Sequence, residues 1–266
     1  MKKEIHEHGF VKLLDVMGND EEVENAARIS YGDGTRQTSK TRNLIRYLMR
    51  HKHTSPFEMC EVKFHLKLPI FVMRQLVRHR TANLNEYSGR YSVMSSDFYF
   101  PKGEEIKPQS STNNQGREDG ELVCHPSDAE FEMFRIFDGA TNAYRNLVEW
   151  NVSRELARIV LPVSNYTEVI WKIDLHNFFH FVKLRADKHA QKEIQDYANI
   201  MYEMVKPKFP LCCEAFEDYR QDAVTFSKQE MELIREAIWD GRGNIGEDSE
   251  EKLGKRESKE FLEKLS

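Results

Sequence analysis

Five basic side chains crowd one short stretch of this sequence. Between Phe71 and Tyr91 stand Arg74, Arg78, His79, Arg80 and Arg90, opposed by Glu86 alone. The rest of the chain leans acidic, with 44 Asp and Glu against 39 Lys and Arg and a net charge of −5. A positive island in a negative chain repels itself unless an anion sits on it. The run Arg78 to Tyr91 mixes three arginines, an imidazole, two amides, a carboxylate, hydroxyls and two aromatic rings. No apolar period passes through it, so it does not read as a core helix. Guanidinium forks bind phosphate through paired hydrogen bonds, and aromatic rings suit a planar base. The residue types therefore point to a phosphorylated aromatic ligand, against the plainer reading of a structural salt-bridge network. Arg154 and Arg158 stand four apart, and Arg185 lies beside Asp187. Each pair is weak evidence by itself.

Other motifs promise more than their context supports. Gly241-Arg242-Gly243-Asn244-Ile245-Gly246 fits G-x-G-x-x-G. Dinucleotide binding needs a strand before that motif and a helix after it. Here helical spacing precedes it and Glu247-Asp248-Ser249-Glu250-Glu251 follows, so it reads as a linker. His176 and His180 are four apart, but the glutamate of a zinc protease and a third ligand are missing from the local sequence. His51 and His53 are equally incomplete, and we expect no metal. Glu214 beside Cys212-Cys213 would raise a thiol pKa, which argues for packing over reactivity.

The elements that must position these groups are legible by period. Phe10 to Met17 reads as a strand, and Asn19 or Asp20 caps a helix carrying Val23, Ala26, Ala27 and Ser30. Tyr31-Gly32-Asp33-Gly34 breaks it. A second helix runs from about Ser39 to His51, and His53 to Glu58 reads as a loop. Val62, Phe64, Leu66 and Leu68 alternate with polar residues, as do Thr167, Val169, Trp171 and Ile173; both stretches read as half-buried strands. Pro69 suits the first turn of a helix that delivers Arg74 and Arg78 to one side. Tyr91 to Phe100 reads as extended and 102–126 as a long polar loop. A long helix from Ser127 to Trp150 should turn Phe131, Phe134, Phe137, Tyr144, Leu147 and Val148 inward. Ser153 should cap a short helix through Ile159, and Asp174 a helix holding Phe178, Phe179 and Val182. Further helices hold Ile194 to Met204, Leu211 to Tyr219 and Ser227 to Trp239. Few strands among many helices make the fold class α+β. We expect one domain over 1–240, with a polar insertion at about 103–126 and a charged tail over 241–266.

Bulk properties narrow the function classes. Hydrophobic residues make up 39% and charged residues 31%, as in a soluble globular protein. The acidic balance argues against a non-specific nucleic-acid binder. No long apolar run predicts a membrane span, and the first residues lack a signal core, so a cytoplasmic location is expected. Four cysteines without a C-x-x-C pair read as free thiols.

Arg78-His79-Arg80, seven residues and then Ser88 resembles the RHR-x7-S signature of flavin-dependent thymidylate synthases. Asn85-Glu86, Ser88 to Tyr91, Ala157 to Pro162, Leu184 to Asp187 and His189 to Gln191 resemble the same family, in the same order. The resemblance runs from about Gly9 to about Tyr219. It implies an α+β fold with a small antiparallel sheet, and a homotetramer whose active sites are shared between subunits. It implies reductive methylation of dUMP to dTMP, with methylenetetrahydrofolate, NADPH and FAD. Carried over, Gln75, Leu76, Val77, Arg78, Glu86, Tyr87, Ser88, Gly89, Arg90, Arg158 and Arg185 match dUMP-binding positions. Ser55, Arg78, His79, Arg80, Glu86, Asp174, Leu175, His176 and His180 match flavin-binding positions. Arg185, Ser88 and His53 match the positions closest to the chemistry. Asn83 stands where the family signature often has Ser, and Asp174 and His176 where some members have Asn and Arg. No cysteine lies in the signature, so C5 of the uracil needs activation without a thiol. Arg185 is expected to stabilise the N3-deprotonated pyrimidine, and Ser88, with no base beside it in sequence, to bind phosphate or sugar.

Overall fold

A computed structural model describes residues 1–29, 40–111, 116–240, 249–250 and 255–265. Ser30, the Tyr31 to Gly34 break and the Gly241 to Gly246 motif lie outside them. The chain divides into two compact units, Met1–Phe216 and Glu217–Ser266.

In the first unit, β1 (Lys2–Ile5) and β2 (Gly9–Met17) form a hairpin. β2 pairs with β3 (Glu61–Pro69), which pairs with β5 (Tyr166–Asp174), and β4 (Ala82–Glu86) closes the far edge. The order is β1-β2-β3-β5-β4, and every pairing is antiparallel. The alternation read from sequence sets the burial. Val62, Phe64, Leu66 and Leu68 of β3 are buried, as are Val169, Trp171 and Ile173 of β5. The opposite face carries His65 against Glu168 and Lys172 against Glu61, each pair at 2.7 Å.

The helices are α1 (Asp20–Arg28), α2 (Thr41–Arg50), α3 (Ser55–Glu58), α4 (Ile70–Leu76), α5 (Pro126–Glu149), α6 (Arg154–Ala157), α7 (Leu175–Arg185), α8 (Lys192–Val205) and α9 (Pro210–Phe216). α7 and α8 close the apolar face of the sheet. Phe64 stacks on Phe178 at 5.9 Å, Trp171 meets Phe181 edge-on at 5.2 Å, and the Tyr197 hydroxyl donates to the Lys67 carbonyl at 2.6 Å. Each such buried side chain contributes about 1.5–3 kcal/mol. Asn19 caps α1 by accepting from the Glu21 and Glu22 amides. Buried Asp20 reaches instead to the Leu211 and Cys212 amides and holds the start of α9.

The architecture is the α+β class expected, but several local readings need correction. Ser55–Glu58 is a helical turn, not loop, with Pro56 in its first turn. Pro69 ends β3 and precedes α4. Arg78 lies in the turn beyond that helix, so it does not share a helical face with Arg74. Ser153 makes no side-chain cap, and its helix passes into a 3-10 turn at Arg158–Val160. α5 buries a narrower stripe than expected. Phe137 stacks on Phe98 at 5.2 Å and the Tyr144 hydroxyl accepts from the Met94 amide at 2.9 Å. Phe131 and Phe134 stay more than 60% exposed.

The second unit opens on a π-helical turn at Glu217–Gln221 and includes α10 (Lys228–Asp240) and α11 (Lys255–Glu263). Lys264 pairs with buried Glu230 at 2.6 Å, and the Phe226 ring meets buried Phe261 edge-on at 6.3 Å. The charged tail expected over 241–266 thus contains a helix with a buried anchor, and the break in packing falls at Phe216 rather than at the change in composition.

Candidate active site

Two segments meet to form a cationic cavity. The turn after α4 supplies Arg78, His79, Arg80 and Thr81, and the end of β5 with α7 supplies Ile173, Asn177, His180, Leu184 and Arg185. The enclosed volume is about 230 Å³. α7 can do this because Asp174 caps it, accepting from the Asn177 amide at 2.9 Å and from the Asn177 side chain at 2.7 Å. Its apolar residues, Phe178, Phe181 and Val182, face the sheet, which turns Asn177, His180 and Leu184 outward.

The electrostatics favour an anion. Among the described residues, none of Arg78, Arg80 and Arg185 pairs with a carboxylate. Burial first, then Arg78 nearby, lowers the pKa of Arg185. Burial, with Arg185 and His180 adding to it, drives His79 down to about 4. Its ring is therefore neutral near pH 7, and its Nε2 accepts a hydrogen bond from Arg185 Nε at 3.0 Å. The His79 ring rests edge-on against Phe181 at 5.0 Å.

A second group forms where β4 ends. The Tyr87 amide donates to the Glu168 carbonyl at 2.8 Å, and its hydroxyl to the Val93 carbonyl at 2.9 Å. Between those anchors the chain turns through Ser88, Gly89 and Arg90, with the Tyr91 amide donating to the Ser88 carbonyl at 3.1 Å. A Cβ at Gly89 would stand 2.7 Å from Met94 Sδ and 3.3 Å from Arg158 Cδ, so the absent side chain lets the turn close on Arg158. Arg90 pairs with Glu155 at 3.1 Å, and Arg154 donates to the Tyr91 carbonyl at 2.6 Å. Glu86 accepts from the buried Thr167 hydroxyl at 2.8 Å.

The remaining expected residues lie in different settings. Gln75 donates to Gln191. Leu76 and Leu175 are core side chains, so contact with a ligand there would run through backbone. Val77 is exposed beside the first group, and His176 is half-buried in the first turn of α7. His53 and Ser55 flank the start of α3 and do not line the cavity; His53 packs against Tyr47 at 5.7 Å. One chain thus joins Arg78, His79, Arg80, His180 and Arg185, and separately Ser88, Gly89, Arg90 and Arg158.

The family described as thymidylate synthase complementing protein matches residues 12–211. A flavin-dependent thymidylate synthase of Treponema denticola is 49% identical over 261 residues, covering 97% of this chain and 94% of the relative. The chain belongs to the flavin-dependent thymidylate synthase family. A second member, from Wolbachia pipientis wMel, is 47% identical over 258 residues, 96% of this chain and 89% of its own. Among solved structures, the UMP/dUMP methylase PolB of Streptomyces cacaoi, bound with 5-Br UMP, has a TM-score of 0.70 at 31% identity. It covers 80% of this chain and 95% of its own. The same enzyme bound with 5-Br dUMP gives 0.68, with 80% and 96% covered. Family membership makes this chain an enzyme and accounts for the signature run. It does not by itself single out Thr81, Asn177 and Leu184, which sequence reading missed. Helical spacing could have found two of them, since Asn177 and Leu184 lie three before and four after His180.

Proposed function

We infer that this chain catalyses reductive methylation of dUMP to dTMP, with methylenetetrahydrofolate as one-carbon donor, NADPH as reductant and FAD as hydride carrier. The observation that carries this reading is the cavity of three guanidinium groups without carboxylate partners among the described residues, built from the family signature and α7. The donor set fits a flavin dinucleotide: guanidinium groups for its pyrophosphate, and imidazole and amide groups for its polar edges. A volume of about 230 Å³ takes only part of such a molecule, which fits sites completed by a neighbouring subunit.

When bound, the flavin supplies the hydride that completes the methyl group. The chain's own residues do the rest. Arg185 stays charged at any working pH, so it favours the N3-deprotonated uracil and pushes electron density toward C5. Ser88, Gly89 and Arg90 turn toward Arg158 and hold the dUMP phosphate, with Gln75, Arg78 and Glu86 completing the nucleotide site. Ser88 acts as a ligand, because no imidazole lies against its hydroxyl among the described contacts. Arg78, His79, Arg80, Asp174, His176 and His180 hold the flavin, and His53 and Ser55 meet it from a neighbouring subunit.

Assembly into a homotetramer is part of the same reading. Phe131, Phe134 and Ile136 of α5, with Trp150, Leu156 and Ile159 after it, are each more than half exposed. Apolar surface of that extent is normally covered by a partner. A cytoplasmic location accords with four free cysteines, Cys124 among them exposed. The visible spectrum of the purified protein tests the cofactor. We expect flavin bands that bleach anaerobically with NADPH and return on adding methylenetetrahydrofolate with dUMP; a colourless protein that takes up no FAD contradicts the reading.

A further inference from the structure

We propose that His79 is a positioning residue for Arg185: the imidazole Nε2 holds the arginine at Nε and leaves both terminal guanidinium nitrogens to face the pyrimidine. The proposal rests on the role given to Arg185 above and deepens it.

The two side chains come from separate elements, His79 from the turn after α4 and Arg185 from the last position of α7. They meet at 3.0 Å, Nε to Nε2. A guanidinium has no acceptor, so the direction of this bond is fixed. The imidazole must offer its lone pair at Nε2 and carry its proton at Nδ1. The ring cannot easily swing away, because fully buried Phe181 backs it at 5.0 Å and the His180 ring stands at 6.1 Å.

The choice of a neutral acceptor has a consequence. A carboxylate at this place would also fix the arginine. It would cancel the charge that the pyrimidine anion needs, and it would compete for a terminal nitrogen through a two-point contact. An imidazole accepts one hydrogen bond at Nε and leaves the charge whole. Among the described residues no carboxylate meets Arg185, so nothing else spends that charge. The charged and titratable groups felt by the pair are Arg78, from the same turn as His79, and His180, from α7. Burial first, then the nearby Arg185 and His180, keeps the ring unprotonated. Arg185 therefore enters the reaction already aimed, and its ordering cost falls in folding instead of in each turnover.

The test compares His79→Leu, which removes the acceptor, with His79→Gln, whose side-chain oxygen reaches near the Nε2 position. Flavin content is read first from the visible spectrum, and turnover is expressed per bound flavin. Bound 5-fluoro-dUMP is then followed by 19F NMR, whose shift reports ionisation of N3. We expect His79→Leu to lose about 100-fold in kcat, with the 19F signal of a neutral ring. KM for dUMP should move far less, because the phosphate contacts lie in the second group. His79→Gln should recover most of the loss and the anion signal. Full turnover in His79→Leu, or a His79→Gln variant no better than His79→Leu at equal flavin content, overturns the proposal. Should His79→Leu fail to fold, the wild-type imidazole decides: an Nε2–H tautomer in its 15N spectrum overturns the assignment, and an Nδ1–H tautomer sustains it. Failure of the Arg185 role looks different. In that case wild-type enzyme itself binds 5-fluoro-dUMP as the neutral ring, or Arg185→Ala leaves the anion signal in place.

Discussion

Arg90 and His79 show how differently two basic residues of one signature are set. Arg90 is more than half exposed and its partner Glu155 equally so, an arrangement that contributes little stability. It is free to trade Glu155 for a phosphate. Arg90→Ala should therefore weaken dUMP binding about 10- to 100-fold, the worth of a charge-assisted hydrogen bond, and flatten its salt dependence. Calorimetric titration at two ionic strengths measures both, and unchanged affinity would remove Arg90 from the phosphate site. His79 has the opposite setting. Its folded pKa of about 4 lies below the 6.5 of a free imidazole. As pH falls from 6.5 toward 4, the unfolded chain takes up a proton that the folded site refuses, so stability drops across that window. Above 6.5 the group contributes no pH dependence. Melting temperatures should fall more steeply between pH 7 and pH 5 in the wild type than in His79→Gln, and parallel curves would contradict this. At this scale the sequence was informative about residue type and poor about partnership. The run of arginines announced an anion, but nothing in it said that Arg185, 106 positions away, donates to His79.

Among the elements, legibility followed how much of the local energy is local. β3 and β5 could be read because one face is buried and one is charged, which writes a period of two into the sequence. Asn19 and Asp174 could be read because a capping side chain bonds to amides two or three residues on. Asn19→Ala should cost about 1 kcal/mol of stability, visible as a shifted denaturant midpoint at constant slope; no shift would mean the cap is redundant. β4 was invisible, because Ala82-Asn83-Leu84-Asn85-Glu86 is an exposed edge whose pairing with β5 comes from a distant segment. β1 was missed for the same reason, since its registration comes from β2. The outward aromatic residues of α5 were misread because spacing says which residues share a face and not what covers that face.

Over the whole molecule, the exposed apolar surface of α5 is the feature one chain leaves unexplained. On the proposed tetramer with sites shared between subunits, replacing Phe131 and Phe134 by Asp should lower the mass seen by light scattering and lower flavin content too. An unchanged mass would place the subunit contacts elsewhere. The fold class was legible because strand and helix periods run through most of the chain, and the family region because the signature run and its companion motifs resemble the family in the same order. The packing break at Phe216 was not, since composition there is continuous while contacts are not. All of these features serve one chemical proposition, that electron density reaches C5 of dUMP with no sulfur nucleophile. It is tested most directly by following dUMP tritiated at C5 with the flavin-loaded enzyme, methylenetetrahydrofolate and NADPH. Tritium should pass to water in step with dTMP, in a variant with all four cysteines replaced by Ser or Ala as in the wild type. Retention of tritium by a folded, flavin-loaded cysteine-free variant, beside release by the wild type, would contradict it.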